Sequence, residues 1–177
     1  MPFEPEEEIA EKYPWAANGH GLKKRKPNIL TSLEMDPAVM EQRNIHLQKK
    51  YEEIKKNEVR YETIQCDDAD YIIVAFGSAA RVSQKAIEIA RSEGIKLGLF
   101  RPITLWPFPY KEIEQLSARI KGILVAEING GQMVYDVRLA TGKGIPVEYF
   151  GRQGGIVPAP DEIVNALKSK IINSAKS

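Results

Sequence analysis

A single cysteine, Cys66, and two histidines, His20 and His46, are all the soft metal-ligand chemistry in 177 residues. One thiol cannot form an intramolecular disulfide, nor can it ligate an iron–sulfur cluster alone. Neither histidine has a second ligand at a spacing that zinc uses. Long apolar runs are scarce as well. No stretch approaches the roughly 18 residues of a membrane span, and no signal peptide precedes the first charges, which points to the cytoplasm. An excess of either charge is missing: 25 Lys+Arg against 24 Asp+Glu leaves +1. Nucleic acid is therefore not expected as the main partner, and the run Lys23-Lys24-Arg25-Lys26 beside Pro27 reads as a solvated loop. The glycine fingerprints of nucleotide sites are absent too, both the three-glycine dinucleotide turn and the Gly-Lys-Ser/Thr phosphate loop.

What is present is a composition 43% hydrophobic, enough for one good core. The stretch "YIIVAFGSAARVSQKAIEIARSEGIKLGLFRP" reads as strand, turn, helix, turn, strand. Ile72 to Phe76 is an unbroken, β-branched apolar run, which suits a parallel strand covered on both faces. Gly77 permits the sharp exit, and Ser78 is placed to cap the free N–H groups of the next helix. Val82, Ala86, Ile89 and Ala90 form one apolar stripe on that helix. Gly94 supplies a left-handed stop, and Ile95 to Phe100 is the next strand, giving a right-handed βαβ crossover.

The same rhythm continues in both directions. Residues 1 to 35 hold Pro2, Pro5, Pro14 and Pro27, an acidic run and scattered aromatics, and read as an extended loop. Asp36-Pro37 opens a helix running to about Asn57, with Met40, Leu47, Tyr51 and Ile54 as a narrow apolar stripe. Tyr61 to Gln65 alternates weakly, as a short edge strand would. Cys66 to Asp70 reads as a polar turn, because its acids lack the alternating positions of a calcium loop. Pro102, Pro107 and Pro109 forbid regular structure until a helix near Pro109 buries Ile113, Leu116, Ser117 and Ile120. "GILVAEING" is a third apolar strand, followed by a helix from Gly130 or Gly131 that carries Met133, Val137 and Ala140. "IPVEYF" is the last strand. Asp161 to about Asn173 is the last helix, which starts without a good capping side chain and relies on the acids of its first turn. Alternation of this kind predicts a mostly parallel sheet with helices on both faces.

In such sheets ligands gather beyond the carboxyl ends of the strands. The candidates there are Ser78, Arg101, Glu127, Asn129, Gln132 and Arg152, a rim with both charge signs that suits another protein surface or the polar part of a ligand. No nucleophile is paired with a base among them, and no carboxylate pair has an evident proton task. The plain structural alternative is an ion pair between Glu127 and an arginine, with the amides serving loop backbone.

Taken together, "YIIVAFGSAAR", "GLFRPITLWPFP", "ILVAEINGGQMVYDVR" and "GRQGGIVPAPDEI" resemble the C-terminal domain of the alpha subunit of 2-oxoacid:ferredoxin oxidoreductases, the group acting on 2-oxoglutarate or branched 2-oxoacids. The likeness runs in order through about residues 60 to 170. It implies a three-layer α/β/α sandwich like the C-terminal domain of transketolase, with a mostly parallel five-stranded sheet whose first strand is antiparallel. The implied division is an extended segment at 1–35, a connecting helix at 36–58 and the α/β domain at 59–177. The family's activity is oxidative decarboxylation of a 2-oxoacid to an acyl-coenzyme A with reduction of ferredoxin. Thiamine diphosphate with Mg2+ and the iron–sulfur clusters are implied for the whole complex. The chain has neither a Gly-Asp-Gly motif nor cluster cysteines, so none of them is expected in this chain. Implied partners are the beta subunit and the iron–sulfur subunit, with ferredoxin and coenzyme A reached through the complex. The rival expectation is an autonomous flavodoxin-like module binding a nucleotide or flavin, or a pure interaction module.

Overall fold

The computed structural model describes residue 28 and residues 31–174. The expectations placed on Lys23 to Lys26, and on most of the first 35 residues, fall outside the described residues. The chain divides into two units, Met1–Gln48 and Lys49–Ser177, and the sheet with its flanking helices lies in the second.

Helix α1 spans Pro37–Asn57 and buries no residue. It begins as its sequence requires, since the Asp36 carboxylate accepts the N–H of Ala38 at 2.8 Å. Met40, Leu47 and Ile54 of the expected stripe are half-buried, and Tyr51 meets Trp106 edge to face with ring centroids 5.5 Å apart.

Then follow β1 (Tyr61–Ile64), β2 (Tyr71–Ala75), α2 (Gly77–Ser92), β3 (Leu97–Pro102), α3 (Tyr110–Ser117), β4 (Gly122–Glu127), α4 (Met133–Thr141), β5 (Val147–Gly151) and α5 (Pro160–Leu167), which runs on as a π-helical turn at Lys168–Ile172. The sheet order is β1-β3-β2-β4-β5, with β1 antiparallel to β3 and the remaining pairs parallel. This is the expected five-stranded sandwich with its antiparallel first strand.

Alternation along β2 divides the core. Ile73 and Ala75 face one side, where α2 and α5 supply Ala79, Ala86, Ile163 and Leu167. Ile72 and Val74 face the other, with Ile113 and Leu116 of α3 and Val134 and Val137 of α4. Both faces are covered, which is why the central strands are continuous apolar runs.

Several local expectations need correction. Ser78 caps nothing: Phe76 is the N-cap of α2, without a side-chain hydrogen bond, and Gly77 at φ +56° makes the turn. The buried face of α2 is Ala79, Ala80, Ser83, Ala86, Ile87 and Ala90, while Val82 and Ile89 are only partly buried. Small residues let this helix lie close to the sheet, so the contact line runs beside the larger side chains. Strand β3 begins later than expected and runs through Pro102, because the last β2 partner is Val74 opposite Phe100. Beyond that register no neighbour requires the N–H that proline lacks. Helix α4 starts at Met133 rather than at Gly130 or Gly131, for a reason that lies in the site itself.

Candidate functional site

All four parallel strands end on one side of the sheet, so the candidate residues share one edge. Contacts sort them into two groups.

The first is a cleft of about 500 Å³ lined by Gly77, Ser78, Arg81, Gln84 and Arg101. Ser78 and Arg81 sit on the exposed first turn of α2. Arg101, near the end of β3, directs its guanidinium to Glu62 on β1 at 2.8 Å, and both side chains stay more than one third exposed. Such a pair fixes side-chain direction more than it stabilises the fold.

The second group is built around Glu127. This residue ends β4 and is 1% exposed, yet it carries a carboxylate. One oxygen accepts the N–H of Val134 at 3.1 Å, the other accepts that of Met133 at 3.0 Å, and the Gln132 N–H lies 3.2 Å from both. The Asn129 side-chain amide donates a further hydrogen bond at 3.0 Å. Three of these donors belong to the beginning of α4, whose N–H groups have no partner inside the helix and carry partial positive charge. Glu127 thus does for α4 what a capping residue does elsewhere, from across the loop. The ion pair of Glu127 with an arginine, the structural alternative, is not formed: Arg101 pairs with Glu62 and Arg152 with Glu162. The helix supplies several fixed, desolvated donors at once, which one mobile guanidinium at an exposed rim cannot match.

The loop between Glu127 and α4 is tied at further points. The Asn129 carboxamide oxygen accepts the Gly131 N–H at 2.7 Å, and Gly131 has φ +97°. The Tyr149 hydroxyl donates to the Asn129 carbonyl. Burial, helped by the Glu127 charge, pushes the Tyr149 phenol above its ordinary pKa. A Cβ on Gly151 would stand 2.8 Å from that Asn129 carbonyl, so only glycine fits there. The Arg152 N–H donates to the Glu127 carbonyl at 3.3 Å, which brings the loops after β4 and β5 together. The Arg152 guanidinium lies 3.4 Å from Glu162, while its Nε is buried and meets no acceptor among the described residues.

Beside this clamp is a smaller recess of about 140 Å³ between Phe76, Leu105, Phe108, Gln132, Met133 and Asp136. The Tyr110 hydroxyl donates to the Asp136 carboxylate there, and that bond pushes its pKa up to about 12. Sequence reasoning missed Tyr110, Asp136 and Tyr149, since phenols and acids on separate elements carry no spacing signal. The glycine at 151 is the one local hint that something crowds that position.

Chemically, the arrangement fixes a loop and holds polar side chains at its rim. Every oxygen of Glu127 is committed to a donor, and among Ser78, Arg101, Glu127, Asn129, Gln132 and Arg152 no nucleophile stands against a base. Among the described residues no group of three or more His, Cys, Asp or Glu is placed to hold a metal ion, and no helix is long and apolar enough to cross a membrane. Cys66 is buried, which raises its thiol pKa, and its Sγ donates to the Leu99 carbonyl at 3.2 Å.

Comparison with known proteins bears on the fold and the family. Residues 69–163 match the model of the pyruvate:ferredoxin oxidoreductase core domain II. Ketoisovalerate oxidoreductase subunit VorB of Methanothermobacter thermautotrophicus is 42% identical over 152 residues, which cover 84% of this chain and 42% of that protein. 2-Oxoglutarate synthase subunit KorA of Methanothermobacter marburgensis is 38% identical over 101 residues, covering 57% of this chain and 27% of that subunit. The chain therefore spans about four tenths, or less, of these relatives. Among solved structures, 2-oxoglutarate:ferredoxin oxidoreductase from Magnetococcus marinus, with 2-oxoglutarate, coenzyme A and succinyl-CoA bound, superposes with a TM-score of 0.67 at 26% identity over 83% of this chain and 28% of that one. An inactive split-gene transketolase tetramer at 18% identity and TM-score 0.56, covering 64% of this chain and 41% of that one, shares the fold. By sequence and by architecture, the chain belongs to the pyruvate:ferredoxin oxidoreductase core domain II family, among the 2-oxoacid:ferredoxin oxidoreductase subunits.

Proposed function

We propose that this chain acts as the C-terminal α/β part of an alpha-type subunit in a complex that oxidatively decarboxylates a 2-oxoacid to an acyl-coenzyme A and reduces ferredoxin. Its share is assembly and the shaping of an approach to the reacting centre. In this reading residues 59–177 are the folded unit, 36–58 the connecting helix and 1–35 the segment leading into it, and the work is cytoplasmic. The observation that carries the reading is the commitment of Glu127 inward. The acid at the centre of the site fixes the loop, and Ser78, Arg101, Gln132 and Arg152 are left to meet whatever lies beyond the sheet.

Thiamine diphosphate, when bound in such a complex, supplies the carbanion chemistry of decarboxylation, and iron–sulfur clusters carry the electrons. The described residues of this chain do not fit either group. Its single thiol is buried on a backbone carbonyl, and its buried carboxylate is saturated by amide donors, so neither is open to a cluster or a diphosphate-bound metal ion. In this reading thiamine diphosphate lies between an N-terminal domain of the alpha subunit and the beta subunit, and the clusters lie in other domains or subunits. Supporting the reading are the family match and the likeness to an oxidoreductase solved with coenzyme A.

The test is Arg101→Ala and Arg152→Ala in the assembled enzyme, followed by sedimentation and by KM for coenzyme A. Removal of a contacting rim charge is expected to raise subunit dissociation or that KM by about tenfold, the equivalent of one cleanly lost contact. Wild-type values in both measurements for both variants would overturn the rim assignment.

A further inference from the structure

The sheet has two edges, and the structure treats them differently. On β5 the outward carbonyls are occupied by cationic side chains: Lys170 donates to the Tyr149 carbonyl at 2.7 Å, and Arg138 donates to the Val147 carbonyl through Nε at 3.3 Å and a terminal nitrogen at 3.2 Å. Side chains that occupy an edge in this way keep another strand from pairing with it.

Among the described residues β1 has no such cover. Its register against β3 sets Tyr61 opposite Pro102, Glu62 opposite Arg101, Thr63 opposite Phe100 and Ile64 opposite Leu99. The Ile103 N–H donates to the Arg60 carbonyl at 2.9 Å, which makes Arg60 opposite Ile103 a hydrogen-bonded position. Antiparallel ladders alternate, so Glu62 and Ile64 spend their backbone groups on β3, whereas the N–H and C=O of Tyr61 and Thr63 point away from the sheet. Among the described residues no side chain is bonded to these four groups. The same two residues line a groove of about 310 Å³ with Phe100 and with Glu112, Leu116 and Arg119 from the α3 side. The Tyr61 ring stacks on Phe100 at 5.0 Å as its floor. Arg119 donates to the Asp67 carbonyl, which places it at the C-terminal end of β1.

We propose that the β1 edge is a strand-addition site for an extended segment of a partner subunit. That segment pairs its backbone with Tyr61 and Thr63, sets alternate side chains into the groove, and meets the acid of Glu112 and the cation of Arg119 with opposite charges. Main-chain pairing gives such contacts their affinity and the groove their selectivity. A backbone edge with paired donors and acceptors calls for an extended polypeptide, and a nucleotide or a helix would leave those groups unmet. The proposal rests on the assembly reading given above.

The test uses the full chain, tagged and purified both alone and within the complex it forms in its own cells. Hydrogen exchange at the Tyr61 and Thr63 amides is expected to slow by about tenfold or more on assembly, with the Glu62 and Ile64 amides already protected in the free chain. Thr63→Pro removes one outward donor and no ladder bond, so the sheet survives while retention of the complex falls; Thr63→Val, which keeps the donor, retains it. Unchanged exchange at both amides in an intact complex, or equal retention by the two variants, overturns this proposal and leaves the assembly reading standing. A chain that enters no complex overturns both.

Discussion

At the scale of single residues, Glu127 decides most about the site. A carboxylate 1% exposed is stable only when its lone pairs are met, and here backbone donors at 3.0–3.2 Å and the Asn129 amide meet them. Glu127→Gln keeps the shape but turns an NH2 group toward backbone N–H groups and removes the charge that α4 favours. We expect a loss of roughly 2–4 kcal/mol in the unfolding free energy of the chain, measured by urea titration. A loss under about 0.5 kcal/mol would show that the clamp is not what holds the loop. Part of this was legible beforehand. Glu127, Asn129 and Gln132 stand out in the sequence as polar residues after an apolar strand, but the partners it suggests for Glu127 are an arginine or an outside surface, not a helix. Charge sign is visible in a sequence, whereas the direction of a helix axis relative to a strand end is not.

At the scale of elements, the passage from β1 into β2 shows how a turn is held. Gln65 adopts φ 53°, a left-handed conformation unusual for a side chain with a Cβ. Arg91 at the end of α2 donates to the Gln65 carbonyl at 2.8 Å, to the Leu97 carbonyl at 2.8 Å and to Asp68, and that bond holds the Asp68 carboxyl below its usual range. The turn crosses so close to β3 that a Cβ on Gly98 would lie 2.7 Å from the Gln65 carbonyl oxygen. Backbone on both sides leaves no flexible end to yield. Gly98→Ala is therefore expected to lower stability by about 1–3 kcal/mol, read as a fall in the denaturation midpoint. An unchanged midpoint would mean that the turn is free to move. The apolar runs and the capping aspartate made the strands and α1 readable in advance. The buried face of α2 was misjudged because alanine and serine signal burial weakly, although their small size is what brings the helix onto the sheet.

At the scale of the molecule, four parallel strands deliver the polar loops to one edge, with a cleft at Ser78 and Arg101 and a fastened loop at Glu127. A flavodoxin-like module would use the same edge to bind its ligand directly. The melting temperature of the full chain is expected to stay constant when FMN or NAD is added at millimolar concentration, since a ligand stabilises the native state only by binding it. A rise of about 2 °C or more with either would favour an autonomous binding module over the assembly reading. The sequence by itself determined the layered α/β architecture, the antiparallel first strand through its family resemblance, and which residues collect at the carboxyl edge, because apolar periodicity and strand direction are local or nearly local properties. Only the tertiary structure decided that Glu127 closes on a helix N-terminus, and that one edge of the sheet is sealed by Arg138 and Lys170 while, among the described residues, Ser78 caps nothing and the other edge stays open. Those outcomes depend on which groups from distant parts of the chain arrive within hydrogen-bonding reach once the layers have packed.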